Sequence, residues 1–130
     1  MRLAVDTSAI IDYIRVDRDY PPQLDTAAEI FVPLTVIGEL YYGASRSTRP
    51  DHQRQIVEYI LHRWKLLLPD VDTARVYGDV RAASFGGNAS LRASKVNDLW
   101  IAAICIQHDL PLLTNDGGYD QISRLRVLHW

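Results

Sequence analysis

The sequence predicts an α/β protein of three layers, with a short, mainly parallel central sheet flanked by helices. Three observations carry this. Short apolar runs of strand length recur along the chain: RLAV, EIFVP, KLLLP, LPLLT and LRVLH. Longer segments with apolar residues at helical spacing separate most of them. The composition, 48% apolar and 23% charged over 130 residues, is that of a globular chain with enough apolar surface to cover both faces of a sheet.

Each element follows from local pattern. RLAV reads as a buried strand, and a helix from Ser8 to about Arg15 places Ile10, Ile11 and Ile14 on its inner face. DRDYPPQ breaks it. EIFVP is the second strand, ended by Pro33, and Thr35 is the expected N-cap of VIGELYYGA. SRSTRP is a loop, after which Pro50 opens a helix to Trp64. KLLLP is the third strand, and Asp72 or Thr73 is expected to cap a helix through about Ala83. FGGNAS reads as a break before the most apolar helix, VNDLWIAAICIQHD. LPLLT, a turn at NDGG and a last strand in LRVLH complete the chain.

Size and composition bound the function. A single domain over 1–130 is expected, able to bury about two-thirds of its unfolded surface without a staple. One cysteine, Cys105, excludes an internal disulfide and a Cys-rich zinc site, and its apolar setting marks it as a small buried hydrophobe. LAV is too short for a signal-peptide core, and the longest apolar run, Leu99 to Ile106, falls short of a membrane span, so a cytoplasmic protein without membrane association is expected. The net charge of −2 exerts no global pull on nucleic acid. Its distribution is uneven: residues 1–30 carry a net −3 and residues 46–95 a net +4. Solvated helix faces explain this, as does an acidic metal site beside a phosphate-contacting surface. His52, His62, His108 and His129 form no ligand or triad spacing and are assigned no role.

In open parallel sheets, sites form beyond the carboxyl ends of the strands. Asp6 directly follows the first strand and Asp116 lies just past the fourth, while Glu39 and Asp98 fall in the first turns of helices that begin near the same edge. Each has an ordinary reading alone: Asp6 as a helix cap, Glu39 as a solvated helix residue, Asp98 as a complement to the helix dipole, Asp116 as a turn residue before Gly117-Gly118. Together they are harder to explain. Two unit charges about 4 Å apart repel by roughly 4 kcal/mol at an effective dielectric near 20, so four on one rim call for a cation or protons. Oxygen ligands without His or Cys suit Mg²⁺ or Mn²⁺ and not zinc.

The same residues carry a family likeness. AVDTSAIIDYI, LTVIGELYYGA, NDLWIAAICIQHDLPLLTND and the closing LRVLHW occur in an order and at a spacing that resemble the PIN-domain ribonucleases, most of all the VapC toxins of bacterial type II toxin–antitoxin pairs. The resemblance implies the PIN-like three-layer fold and a metal site of Asp6, Glu39, Asp98 and Asp116, with Thr7 or Ser8 and Thr114 supporting it from behind. Many relatives carry an acid directly before the aromatic residue near the end. Here Gly118 stands there, before Tyr119, which leaves Asp116 as the fourth acid. The segment SFGGNASLRASKVND is longer than in many relatives. Implied too are Mg²⁺- or Mn²⁺-dependent hydrolysis of RNA by activated water, a homodimer, and a cognate VapB-like antitoxin that wraps an apolar groove; Tyr41, Tyr42 and Trp64 are candidates to line such surfaces. Arg46, Arg49, Arg81, Arg92 and Lys95 are candidate RNA backbone contacts by charge alone.

Rival readings remain. A haloacid-dehalogenase-like phosphatase wants a second Asp two residues after the first, where Ser8 stands, and a receiver domain wants an acidic pair and a late Lys. A catalytically weak or inactive PIN module acting by protein binding, or a non-toxin PIN nuclease in RNA processing, are the alternatives that keep the fold.

Overall fold

A computed structural model describes residues 1–15 and 19–130. Its centre is a five-stranded sheet of β1 (Arg2–Val5), β2 (Glu29–Pro33), β3 (Lys65–Leu67), β4 (Leu112–Leu113) and β5 (Val127–Leu128). The order is β3-β2-β1-β4-β5, and every neighbouring pair is parallel. All five expected strands form, each from the apolar core of its run. β1 is the central strand: Ala4 pairs with Phe31 on one side and Leu112 on the other. Flanked on both edges, Leu3, Ala4 and Val5 have no exposed surface.

The helices are α1 (Thr7–Ile14), α2 (Gln23–Thr26), α3 (Leu34–Ser45), α4 (Pro50–Arg63), α5 (Val71–Ala83), α6 (Ala89–Ser94) and α7 (Val96–Gln107). The chain runs outward from β1 to β2 to β3, then crosses back to β4 on the other side of β1. Right-handed crossovers, the rule for parallel strands, put helices of an outward and a returning path on opposite faces of a sheet. α3 packs on α4 and α1, while α5 lies along α7 with the Tyr77 and Trp100 rings stacked at 4.0 Å. The direction of travel reverses between β1 and β4, so the crevice at their carboxyl ends is the topological switch point.

Three local expectations are corrected. Thr35 does not cap α3; the helix begins at Leu34 directly after Pro33, whose extended backbone (φ −62°, ψ 141°) already turns the chain. α5 starts ahead of Asp72 and Thr73. Asp70 is its N-cap: its carboxylate accepts from the Thr73 N–H at 3.1 Å, and Thr73 Oγ1 accepts from the Asp70 N–H at 2.9 Å. Such reciprocal bonds satisfy two orphan donors, so they outbid a cap two residues later. The break at 84–90 holds structure of its own. Phe85, Gly86 and Gly87 take positive φ, and Asn88 then caps α6 by accepting from the Leu91 N–H at 2.9 Å. The break expected at 17–23 begins outside the described residues; its end forms the short α2.

Trp64 packs against Tyr13 at 4.9 Å between ring centres, so it is a half-buried structural residue; Tyr42 is 64% exposed. Cys105 is fully buried. No described helix is long and apolar enough to cross a membrane.

Candidate active site

Strand β1 ends by delivering Asp6 to the switch point. Asp6 occupies the N-cap position of α1 and its backbone carbonyl accepts from the Ala9 and Ile10 N–H groups, yet its side chain makes no capping bond. The carboxylate turns the other way. Thr114, one residue past β4, donates to Asp6 Oδ2 at 2.9 Å, and the Tyr119 hydroxyl lies 3.3 Å from Oδ1. Asp6 is 6% exposed and Thr114 has no exposed surface.

Two more carboxylates face Asp6. Asp98, in the first turn of α7, meets the same Tyr119 hydroxyl at 3.1 Å. Glu39, in the second turn of α3, accepts from Thr7 Oγ1 at 2.9 Å. Burial pushes all three carboxyls above the ordinary range. Mutual repulsion adds to it: Asp98 raises Asp6, and both raise Glu39. For Asp98 the hydroxyl of Tyr119 and the ammonium of Lys95 oppose the rise, while Asp116 adds to it. Asp116 is thus near enough to act on Asp98. It lies at the outer lip, where its Oδ1 accepts from the Gly118 N–H at 2.9 Å.

The hydroxyls behind the acids form one directed network. Thr114 has a single proton and gives it to Asp6, so in its 3.3 Å contact with Ser8 Oγ it must accept. Thr114 Oγ1 also accepts from the Asp116 N–H at 3.0 Å, and Ser8 Oγ accepts from the Asn115 N–H at 3.1 Å. Thr7 serves Glu39, whereas Ser8 and Thr114 brace the loop after β4. His129 holds that loop from outside, bonding the Thr114 carbonyl and Asp120.

Tyr119 is the site residue that sequence reasoning missed. Its ring is 1% exposed, and a 3₁₀ turn over Gly117–Gln121 swings it inward. One phenolic proton faces two carboxylate oxygens, so with both acids ionised one oxygen lacks this donor. A single Tyr is indistinguishable in sequence from a core aromatic; only its position after Asp116-Gly117-Gly118 was available as a hint.

Of the basic candidates, only Lys95 reaches these acids, with Nζ 3.9 Å from Asp98 Oδ2. Arg92 donates to the Ala82 and Ser84 carbonyls at the end of α5. Arg81 bonds the Tyr77 hydroxyl at 2.7 Å, and Arg46 bonds that of Tyr42 at 3.1 Å. Arg49 is the N-cap residue of α4. Beside Glu39 runs a groove lined by Ile10, Ile11, Ile14, Leu40 and Ile56.

The sequence profile of the PIN domain matches residues 3–125. The chain belongs to the PIN domain family. PIN domains are generally nucleases, and PIN nucleases generally depend on a divalent metal. Solved structures share this PIN fold over the full chain. They include VapBC2 from Rickettsia felis bound to a DNA fragment from the promoter (24% identity, covering 100% of this chain and 99% of that one, TM-score 0.81). DNA-bound VapBC from Salmonella typhimurium follows at 22% identity, 100% and 98% coverage and TM-score 0.78. VapBC-1 from nontypeable Haemophilus influenzae has 20% identity, the same coverage and TM-score 0.79. No curated protein matches the chain. The donor set of this PIN domain, carboxylates without His or Cys, fits a hard divalent cation. Among the described residues no three His, Cys, Asp or Glu side chains are gathered as a ready-made metal cage.

Proposed function

We propose that this PIN domain is a Mg²⁺- or Mn²⁺-dependent endoribonuclease, the toxin of a VapBC-type pair. The observation that supports it most is the convergence of Asp6, Glu39 and Asp98 at the switch point, buried enough to be pushed up together and oriented by Thr7, Thr114 and Tyr119. Like charges held close in a crevice are costly unless a cation resolves them. Asp6, Glu39, Asp98 and Asp116 would hold it. Bound there, a divalent ion supplies acidified water and offsets the charge that builds on a phosphodiester during in-line displacement.

The chain's own part is orientation. Thr114 fixes Asp6 Oδ2 and, through the Asp116 N–H, sets the lip of the crevice. Thr7 fixes Glu39 Oε2 by donating to it. Leu112, Leu113 and Tyr119 around the crevice are buried. The groove beside Glu39 suits an apolar segment of a VapB-like antitoxin, and Leu34 and Val71, 42% and 66% exposed, supply apolar surface for a homodimer.

Purified protein, freed of any partner, is expected to cut RNA with Mg²⁺ or Mn²⁺ and to stop in EDTA. Asp6→Ala and Asp98→Ala are expected to be inactive. Both variants cutting as fast as the parent would overturn the reading. Folded, metal-binding protein that leaves every RNA intact would favour the binding-module alternative.

A further inference from the structure

Lys95 joins α6 to α7 and is the N-cap residue of α7, a position where Ser, Thr, Asn or Asp usually stands and a cation opposes the helix dipole. It makes no side-chain cap. Instead the ammonium reaches forward to Asp98 Oδ2 at 3.9 Å, the side chain being 33% exposed and that of Asp98 20%. It also lies over Gly118. A Cβ built there would meet Asp116 Oδ1 at 3.1 Å, Lys95 Nζ at 3.6 Å and Lys95 Cε at 3.8 Å. Gly118 has no positive φ, so backbone strain does not demand glycine there. What the absent side chain leaves is room beside Asp116 Oδ1 for the ammonium that pairs with Asp98.

We propose that Lys95 is a resident cation of the active site: its ammonium neutralises the Asp98–Asp116 half of the carboxylate cluster, so the site takes one divalent ion, on the Asp6–Glu39–Asp98 side. This rests on the metal-dependent reading above and deepens it. The physical reason is exclusion by like charge. A divalent ion placed between Asp98 and Asp116 would lie a few ångströms from the ammonium, and that repulsion offsets a large part of what a partly buried Asp98 and an exposed Asp116 return. Asp6 and Glu39, by contrast, have no cationic partner among the described ion pairs. Lys95 therefore acts as a positioning residue: it decides where the ion sits and how many sit there.

Mn²⁺ binding without RNA tests this, by calorimetry and by the electron paramagnetic resonance of bound Mn²⁺, on the parent, Lys95→Met and Lys95→Arg. The parent is expected to bind one ion and Lys95→Arg one. Lys95→Met is expected to bind two, or one at least tenfold more tightly, with far-ultraviolet dichroism unchanged. Two ions in the parent would overturn the proposal and leave the metal-dependent reading standing. So would Lys95→Met that binds Mn²⁺ as the parent does but binds RNA more weakly, which makes Lys95 a phosphate contact only. No Mn²⁺ bound by the parent at millimolar concentration would sink both.

Discussion

Two aspartates in this molecule stand at helix N-caps beside a threonine hydroxyl, and they do opposite things. Asp70 caps α5. Its carboxylate accepts from the Thr73 N–H and from Gln107 Nε2 at 2.9 Å, and these bonds hold its pKa below the ordinary value. Asp6 occupies the same position on α1 and caps nothing with its side chain. Burial, helped by Asp98, pushes it up despite bonds from the Thr7 N–H, Thr114 and Tyr119. The difference is in what surrounds the charge. Asp70 lies in water against peptide and amide dipoles that prefer it ionised, whereas Asp6 lies in a crevice with other acids. An anion with its donors satisfied serves the fold; one left in conflict with its neighbours is available for chemistry.

Mutation should separate the two most sharply. Asp6→Asn is expected to reduce RNA cleavage on the order of 100-fold or more while keeping or raising Tm, because it removes a charge in conflict. Asp70→Asn is expected to lower Tm and leave cleavage per folded molecule unchanged. Measured side by side, any loss of activity in the second as large as in the first would break the contrast.

The threonines extend it. Thr114→Val removes a buried donor to Asp6 and the acceptor of the Asp116 N–H, at a cost of about 1–3 kcal/mol in denaturant unfolding and a large fall in kcat. Thr73→Val breaks the capping box and the link to Gln107, and its effect is expected on unfolding alone.

The two sites should also answer pH with opposite signs. Asp6, Glu39 and Asp98 have folded pKa values above their unfolded ones, so the folded state binds more protons in that window. Stability then falls as pH rises through it, and the penalty is complete above the folded values. Asp70 is lowered, so its contribution is present above the ordinary value of 3.8 and is lost as pH falls through the folded one. In EDTA, the Tm gap between Asp6→Asn and the parent should widen from pH 4 to pH 7. The gap for Asp70→Asn should close below pH 4. Mn²⁺ should shrink the first gap and leave the second alone.

The smallest expected effect lies at the back of the site loop. The Asp120 carboxylate and the Thr114 carbonyl raise His129, whose stabilising charge is therefore present below pH 6.5 and lost as pH rises through its folded value. His129 is largely exposed, so screening keeps the effect small. Asp120→Asn should bring its pKa, followed by NMR, back toward 6.5.

Much of this architecture is readable in linear order. Strand-length apolar runs alternating with helical periodicity identify the five strands, and a parallel sheet then puts residues 6 and 116 at one rim and the early helical turns that carry 39 and 98 beside them. That step needs only period and direction. Capping was harder: Asp70, Asp72 and Thr73 are all good N-cap types, and the choice depends on which pair closes a reciprocal bond. α6 escaped notice because six residues after two glycines carry too little periodicity to register.

Local pattern thus determined the strands, the helix that carries each acid and the edge they share, because hydrophobic period and chain direction are properties of neighbours in sequence. Which way each carboxylate turned was decided by residues 21 to 113 positions away. Asp6 turns to Thr114 and Tyr119, Glu39 answers to Thr7, and Asp98 meets Tyr119 from across the crevice. Hydrogen bonds and charge act through distance in space, and only the packed sheet brings those partners within range.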